Sequence, residues 1–160
     1  MEKIPEHLQA QIQKTIIDCT RPICDILDYV LDNTTVHGIT LSMEELYAIA
    51  IRLPAECAYL QAQINTQNIE QRMQSFLLET KITDSIVMLQ NTKGDAKERQ
   101  RRAEAMSKDD VLADIAAEEV VNALQAMIQR ADKVYEGIKK VIDAKTKEMA
   151  FDAKSGTLNS

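Results

Sequence analysis

Strands and tight turns have almost no raw material in this chain, which holds four glycines, three prolines, no tryptophan and six other aromatics among 160 residues. Helix formers fill the remainder, so the expected fold class is all-α. No apolar run approaches the roughly 18 residues that a membrane span needs. The opening MEKIPEHLQAQ has neither the basic nor the apolar segment of a signal peptide, and a cytoplasmic location is expected. Cys19, Cys24 and Cys57 are odd in number and show no CxxC spacing, while His7 and His37 stand alone, so neither a disulfide framework nor a metal site is expected. Gly-rich phosphate loops, HExxH and GxSxG are absent as well. The acidic pairs Glu44/Glu45, Asp109/Asp110 and Glu118/Glu119 read more simply as helix caps or outer faces than as catalytic dyads. No catalytic residue and no cofactor is expected, and the chain reads as a non-enzyme.

What is present is helical periodicity. From Ser107 to about Ala150 a heptad register holds: Ala113, Ala117, Val120, Leu124, Met127, Ala131, Val134, Ile138 and Val141 alternate steps of four and three. Val121, Ile128, Tyr135 and Ile142 form a second row, which widens the buried face to three residues per heptad. That width suits a multi-helix bundle or a coiled coil of several subunits. Val120, Leu124, Met127, Ile128, Val134, Tyr135, Ile138 and Val141 are therefore the candidate oligomer interface. Ser107 with Asp110 three residues on reads as the N-terminal cap, and the lysines from Lys139 to Lys147 suit the negative end of the helix. At about 1.5 Å per residue such a helix is on the order of 65 Å long, so elongation or self-assembly is expected.

The chain before it reads as two further helical regions. Leu8, Ile12, Ile16, Cys19, Ile23, Ile26 and Val30 mark a first helix to about Leu31, with Pro22 expected to kink or restart it. DNTTVHGIT reads as a loop. Ser42 and Glu45 then form a capping box, with Leu41 stapling onto Leu46, for a short helix to about Arg52, after which Pro54 should force a kink or a new beginning. Beyond Pro54 a stripe follows Cys57, Leu60, Ile64, Ile69, Met73, Leu77, Ile82, Ile86 and Leu89, with five-residue slips after Ile64 and Leu77. The polar residues from Gln61 to Gln74 read as a solvated face. The expected architecture is an elongated antiparallel helical hairpin or bundle with coiled-coil character, oligomeric, divided as 1–41 (helix and loop), 42–150 (long hairpin) and 151–160 (flexible tail).

Charge is uneven. The net charge is -6, but KGDAKERQRR, residues 93–102, carries five basic and two acidic residues, net +3, leaving -9 on the other 150. Lys93, Lys97, Arg99, Arg101 and Arg102 sit where the apolar stripes stop, so they are either a phosphate-binding patch or a solvated charged turn. With few aromatics to stack on bases, binding to a nucleic acid would rest on its backbone and be salt-sensitive.

The order of parts resembles the UvsY-like recombination mediators of tailed phages. The likeness lies in the long helix LPAECAYLQAQINTQNIEQRMQSFLLETK, the charged run TKGDAKERQRRAEAM, and a final helix opening on MSKDDV, and it spans residues 50–150. The resemblance implies a helical oligomer that binds single-stranded DNA, contacts a recombinase and a single-strand-binding protein, and helps load the former in a bacterial host's cytoplasm. It would assign the basic connector to DNA and the heptad seam to the oligomer. A helical adaptor, chaperone or inhibitor that binds a protein partner, or a structural assembly component, would use the same helices.

Overall fold

Pro5 sits one place before the first helix, and its carbonyl accepts the first helical bond from the Gln9 N–H at 3.0 Å. The computed structural model describes residues 5–91 and 94–157, with side chains for 5–90 and 94–152. Among these residues the order is α1 (Glu6–Asp32), β1 (Thr34–Thr35), β2 (Gly38–Ile39), α2 (Met43–Met88), a 3-10 turn (Leu89–Asn91), α3 (Ala96–Met106) and α4 (Lys108–Thr157). The all-α expectation holds, with one small hairpin added.

That hairpin occupies the stretch read as a loop. Thr34 pairs with Ile39 and Thr35 with Gly38, antiparallel, across the two-residue turn Val36–His37. Gly38 takes φ +110°, a conformation that side chains disfavour, and the Thr35 hydroxyl fastens the turn by accepting from the His37 N–H and donating to the Gly38 carbonyl.

Neither internal proline ends its helix. Pro22 lies within α1 and Pro54 within α2, which runs as one helix of 46 residues. An internal proline costs about 3 kcal/mol. Burying Leu53 and Leu60, both at most 1 % exposed, returns about 1.5–3 kcal/mol each and holds α2 together across the missing donor. The start of α2 is built as its sequence reads. The Ser42 hydroxyl accepts from the Glu45 N–H at 3.3 Å, the Glu45 carboxylate accepts from the Ser42 N–H at 2.8 Å, and Leu41 and Leu46 are both buried.

The chain packs as two units, each assembled from segments distant in sequence: Met1–Asp18 with Ala62–Leu124, and Cys19–Gln61 with Gln125–Ser160. The divisions 1–41, 42–150 and 151–160 therefore follow the order of elements and not the compact units. In the first unit the Ser75 hydroxyl donates to Asp114 at 2.6 Å and Lys81 pairs with Asp110, so α2 and α4 run antiparallel there. Its core includes Ile12, Ile64, Ala103, Leu112, Ala116, Val120, Val121 and Leu124. In the second unit Lys145 donates to the Leu41 carbonyl at 2.6 Å, and Leu53, Pro54 and Cys57 share a small cavity with Ala131, Asp132 and Tyr135, again antiparallel. The core there gathers Ile23, Ile26, Leu27, Val30, Leu41, Leu46, Ile49, Leu53, Leu60, Ala131 and Ile138.

Three further expectations need correction. The stripe beyond Pro54 does not stay on one face: Leu60 and Ile64 are buried, but Ile69, Met73 and Leu77 are each more than 60 % exposed. A five-residue step at 3.6 residues per turn rotates a side chain by about 140°, which carries Ile69 away from the core. Gln63, Gln67, Asn68 and Gln71, read as part of a solvated face, are half-buried instead. The tail also stays helical through Thr157, since nothing from Phe151 to Ser155 breaks a helix.

Candidate nucleic-acid interface

The charged stretch between the long helices forms a helix of its own. Gly94 takes φ +143°, so the entry to α3 is a glycine position by its backbone conformation. Asp95 caps the helix by accepting from the Glu98 N–H at 2.7 Å. On the inner edge Arg99, Ala103 and Ser107 follow at four-residue steps, half-buried, fully buried and 2 % exposed respectively. That edge leaves Lys97, Arg101 and Arg102 exposed.

Four of the five basic residues singled out in the sequence are thus brought onto one eleven-residue helix; Lys93 lies outside the described residues. They are not equivalent. Arg102 pairs with Glu98 at 2.5 Å, and Gln100 donates to Glu104 at 2.8 Å. Lys97, Arg99 and Arg101 have no ion-pair partner among the described residues. With four basic and two acidic side chains, α3 carries a net charge of +2, and the neutralised arginine leaves three cations available. The Glu98–Arg102 pairing is readable from its four-residue spacing, the signal that sequence reasoning passed over.

Ser107 does not cap α4. Its N–H donates to the Glu104 carbonyl at 3.1 Å as α3 ends, its carbonyl accepts from Val111, and its hydroxyl is buried without a partner among the described residues. Asp110, the other half of the expected capping box, is engaged by Lys81 of α2.

The residues expected to hold an oligomer together lie largely inside the chain. Val120, Leu124 and Ile138 are buried, and Met127, Ile128, Val134, Tyr135 and Val141 are partly covered. The two rows that make the α4 face three residues wide thus pack mainly against the chain's own helices, and a second subunit is not needed to shield their central residues.

Elsewhere an apolar cleft of about 350 Å³ is lined by Asp25, Ile26, Tyr29, Glu45, Ala48, Ile49 and Arg52. There the Tyr29 hydroxyl donates to Glu45 at 2.6 Å. Together with the Ser42 hydroxyl and N–H, and the field of Lys145, this bond holds the Glu45 carboxyl down at about 2. The same bond raises the Tyr29 phenol. The contact ties α1 to the start of α2 and is a structural clasp. Among the described residues no group of three His, Cys, Asp or Glu side chains could hold a metal ion, and no helix is long and apolar enough to cross a membrane. Comparison with family models, with curated proteins and with solved structures finds no match for this chain.

Proposed function

We propose that this chain is an accessory protein of DNA recombination or replication, of the phage mediator type, that holds single-stranded DNA through α3 and works as an oligomer. The observation that carries this reading is the set Lys97, Arg99 and Arg101 on α3, the first and last exposed and Arg99 half-buried, none of which has an ion-pair partner among the described residues. Phosphate oxygens are the ligands that suit guanidinium and ammonium groups so placed. No aromatic lies on α3, so bases would go unread and one strand would bind much like another.

Three cations make a weak site alone. Copies of α3 repeated in an assembly would raise its strength by avidity, because a strand held by one subunit meets the next at high effective concentration. The strand would then follow an extended path from which one coating protein can be exchanged for another, and a recombinase and a single-strand-binding protein are the proposed partners. The test is an anisotropy titration of a labelled oligothymidylate at low salt, comparing the wild-type chain with one carrying alanine at 97, 99, 101 and 102. A loss of binding of at least ten-fold is expected. Equal binding by the two proteins would remove α3 from the function.

A further inference from the structure

The middle of α2 carries its apolar side chains on the face turned away from its own unit. Ile69, Met73, Phe76 and Leu77 follow at steps of four, three and one, and are 62, 62, 68 and 63 % exposed. Thr80, Thr83 and Val87 continue the face, all exposed. On the opposite side Gln67 and Gln71 are half-buried, and Gln63 Oε1 is buried without a hydrogen-bond partner among the described residues. A helix that is apolar on its outer side and buried on its inner side is built to pack twice. The four large side chains present on the order of 500 Å² of apolar surface, beyond the few hundred that scattered surface residues leave on a monomer.

The charges beside this stripe say what covers it. Glu70 and Lys81 lie along one flank; Arg72 and Glu79 lie along the other, and all four are exposed. Each flank therefore carries one charge of each sign, with the order of signs reversed between the flanks. If two α2 helices cross antiparallel about a two-fold axis between Ser75 and Phe76, Glu70 falls opposite Lys81 of the other copy and Arg72 opposite Glu79. Both pairs meet in the same register, and symmetry repeats each of them. That register also sets Phe76 against Phe76 near the axis, Met73 against Leu77 and Ile69 against Thr80. Arg72 and Glu79 have no ion-pair partner among the described residues, and Lys81, already beside Asp110, has further N–H donors to share.

We propose that the outer face of α2 from Ile69 to Val87 is a self-association surface that binds a second copy of this chain antiparallel, with Met73, Phe76 and Leu77 at its centre and the Glu70–Lys81 and Arg72–Glu79 pairs at its rim. The inference rests on the oligomeric part of the proposed function and not on DNA binding. It moves the contact between subunits from the α4 seam to α2. With its rim the face approaches the roughly 800 Å² per partner of a stable interface, and the two-fold geometry places like residues at the centre, as an isologous contact requires.

The experiment is the mass of the full chain by light scattering and sedimentation equilibrium across a concentration series, without nucleic acid. The wild-type mass is expected to rise to at least twice 18.0 kDa, and Met73→Glu with Phe76→Glu to return it to the single-chain value with unchanged helical circular dichroism. Arg72→Glu sets like charges together at two places and is expected to weaken association about ten-fold, and Arg72→Glu with Glu79→Arg to restore it. A wild-type chain that stays single at every concentration overturns both this surface and the oligomeric reading. An assembly indifferent to Met73→Glu with Phe76→Glu overturns this surface alone, and a double charge swap that fails to recover overturns the antiparallel register.

Discussion

Replacing Ser107 with alanine separates two accounts of the α3–α4 junction by the sign of its effect. As an N-cap, the role its spacing from Asp110 suggests, the hydroxyl would satisfy a free helix N–H, and its loss would cost about 1 kcal/mol. In the structure the hydroxyl is buried in a residue 2 % exposed and has no hydrogen-bond partner among the described residues, while Asp110 is held by Lys81. A buried hydroxyl without a partner costs about 1–3 kcal/mol. Alanine removes that hydroxyl and keeps the Cβ, so Ser107→Ala is expected to stabilise the chain by about 1 kcal/mol. With a urea slope near 2 kcal/mol/M, typical for a chain of this size, the midpoint should rise by about 0.5 M at an unchanged slope. Urea unfolding followed by circular dichroism reads this directly. A midpoint lowered by a similar amount would show that Ser107 caps α4 after all, and would refute the reasoning about the junction.

Other perturbations test the remaining parts. Glu45 in the folded chain titrates near 2, held there by the Tyr29 hydroxyl first and by Ser42 next. Its ordinary value is about 4.5, so the stability it confers is fully present above that pH and is lost as pH falls from about 4.5 towards 2. The melting temperature of the wild type should therefore drop more steeply over that window than that of Glu45→Gln, and parallel curves would show that the clasp confers none. Leu124→Ala, at a side chain with no exposed surface, should cost about 2–5 kcal/mol in urea unfolding. Leu77→Ala, at a side chain 63 % exposed, should cost about 0.5 kcal/mol or less when measured at single-chain dilution. Equal costs would mean that the two faces of the helices are misassigned. Burial, then the nearby Asp132 and Glu56 carboxylates, raise the Cys57 thiol, so at pH 7.5 it should alkylate more slowly than glutathione, as mass spectrometry after iodoacetamide would show; an equal rate would contradict that placement.

Local signals are legible in this sequence, and the rotation of one helix face against another is not. The Ser42–Glu45 box and its Leu41–Leu46 staple appear as expected because every partner lies within a few residues, so no distant contact competes with them. The stop expected near Arg52 does not appear because the donor missing at Pro54 is a local cost, whereas the burial of Leu53 and Leu60 that offsets it comes from packing that the local sequence does not display. The slip after Ile64 is visible in the sequence, but it turns Ile69, Met73 and Leu77 outward and leaves glutamines half-buried, so apolar content alone names the wrong face. The α4 heptads are real, yet a wide apolar stripe reads the same whether its neighbours come from the same chain or from another. Here Val120, Leu124 and Ile138 are covered by their own chain. In the basic cluster, residue types are legible and so is the four-residue spacing of Glu98 and Arg102, but a count of charges alone leaves Arg102 free although Glu98 holds it.

The most direct test of the DNA-holding claim is the salt dependence of single-strand binding, measured for the wild type and for the chain with alanine at 97, 99 and 101. Each phosphate contact on a single strand contributes about 0.7 to the slope of log affinity against log salt, so losing three should flatten it by about 2 per subunit engaged. Glu98→Gln, which releases Arg102, should steepen the wild-type slope by about 0.7. An identical slope in all three proteins would contradict the assignment of α3 to the phosphate backbone.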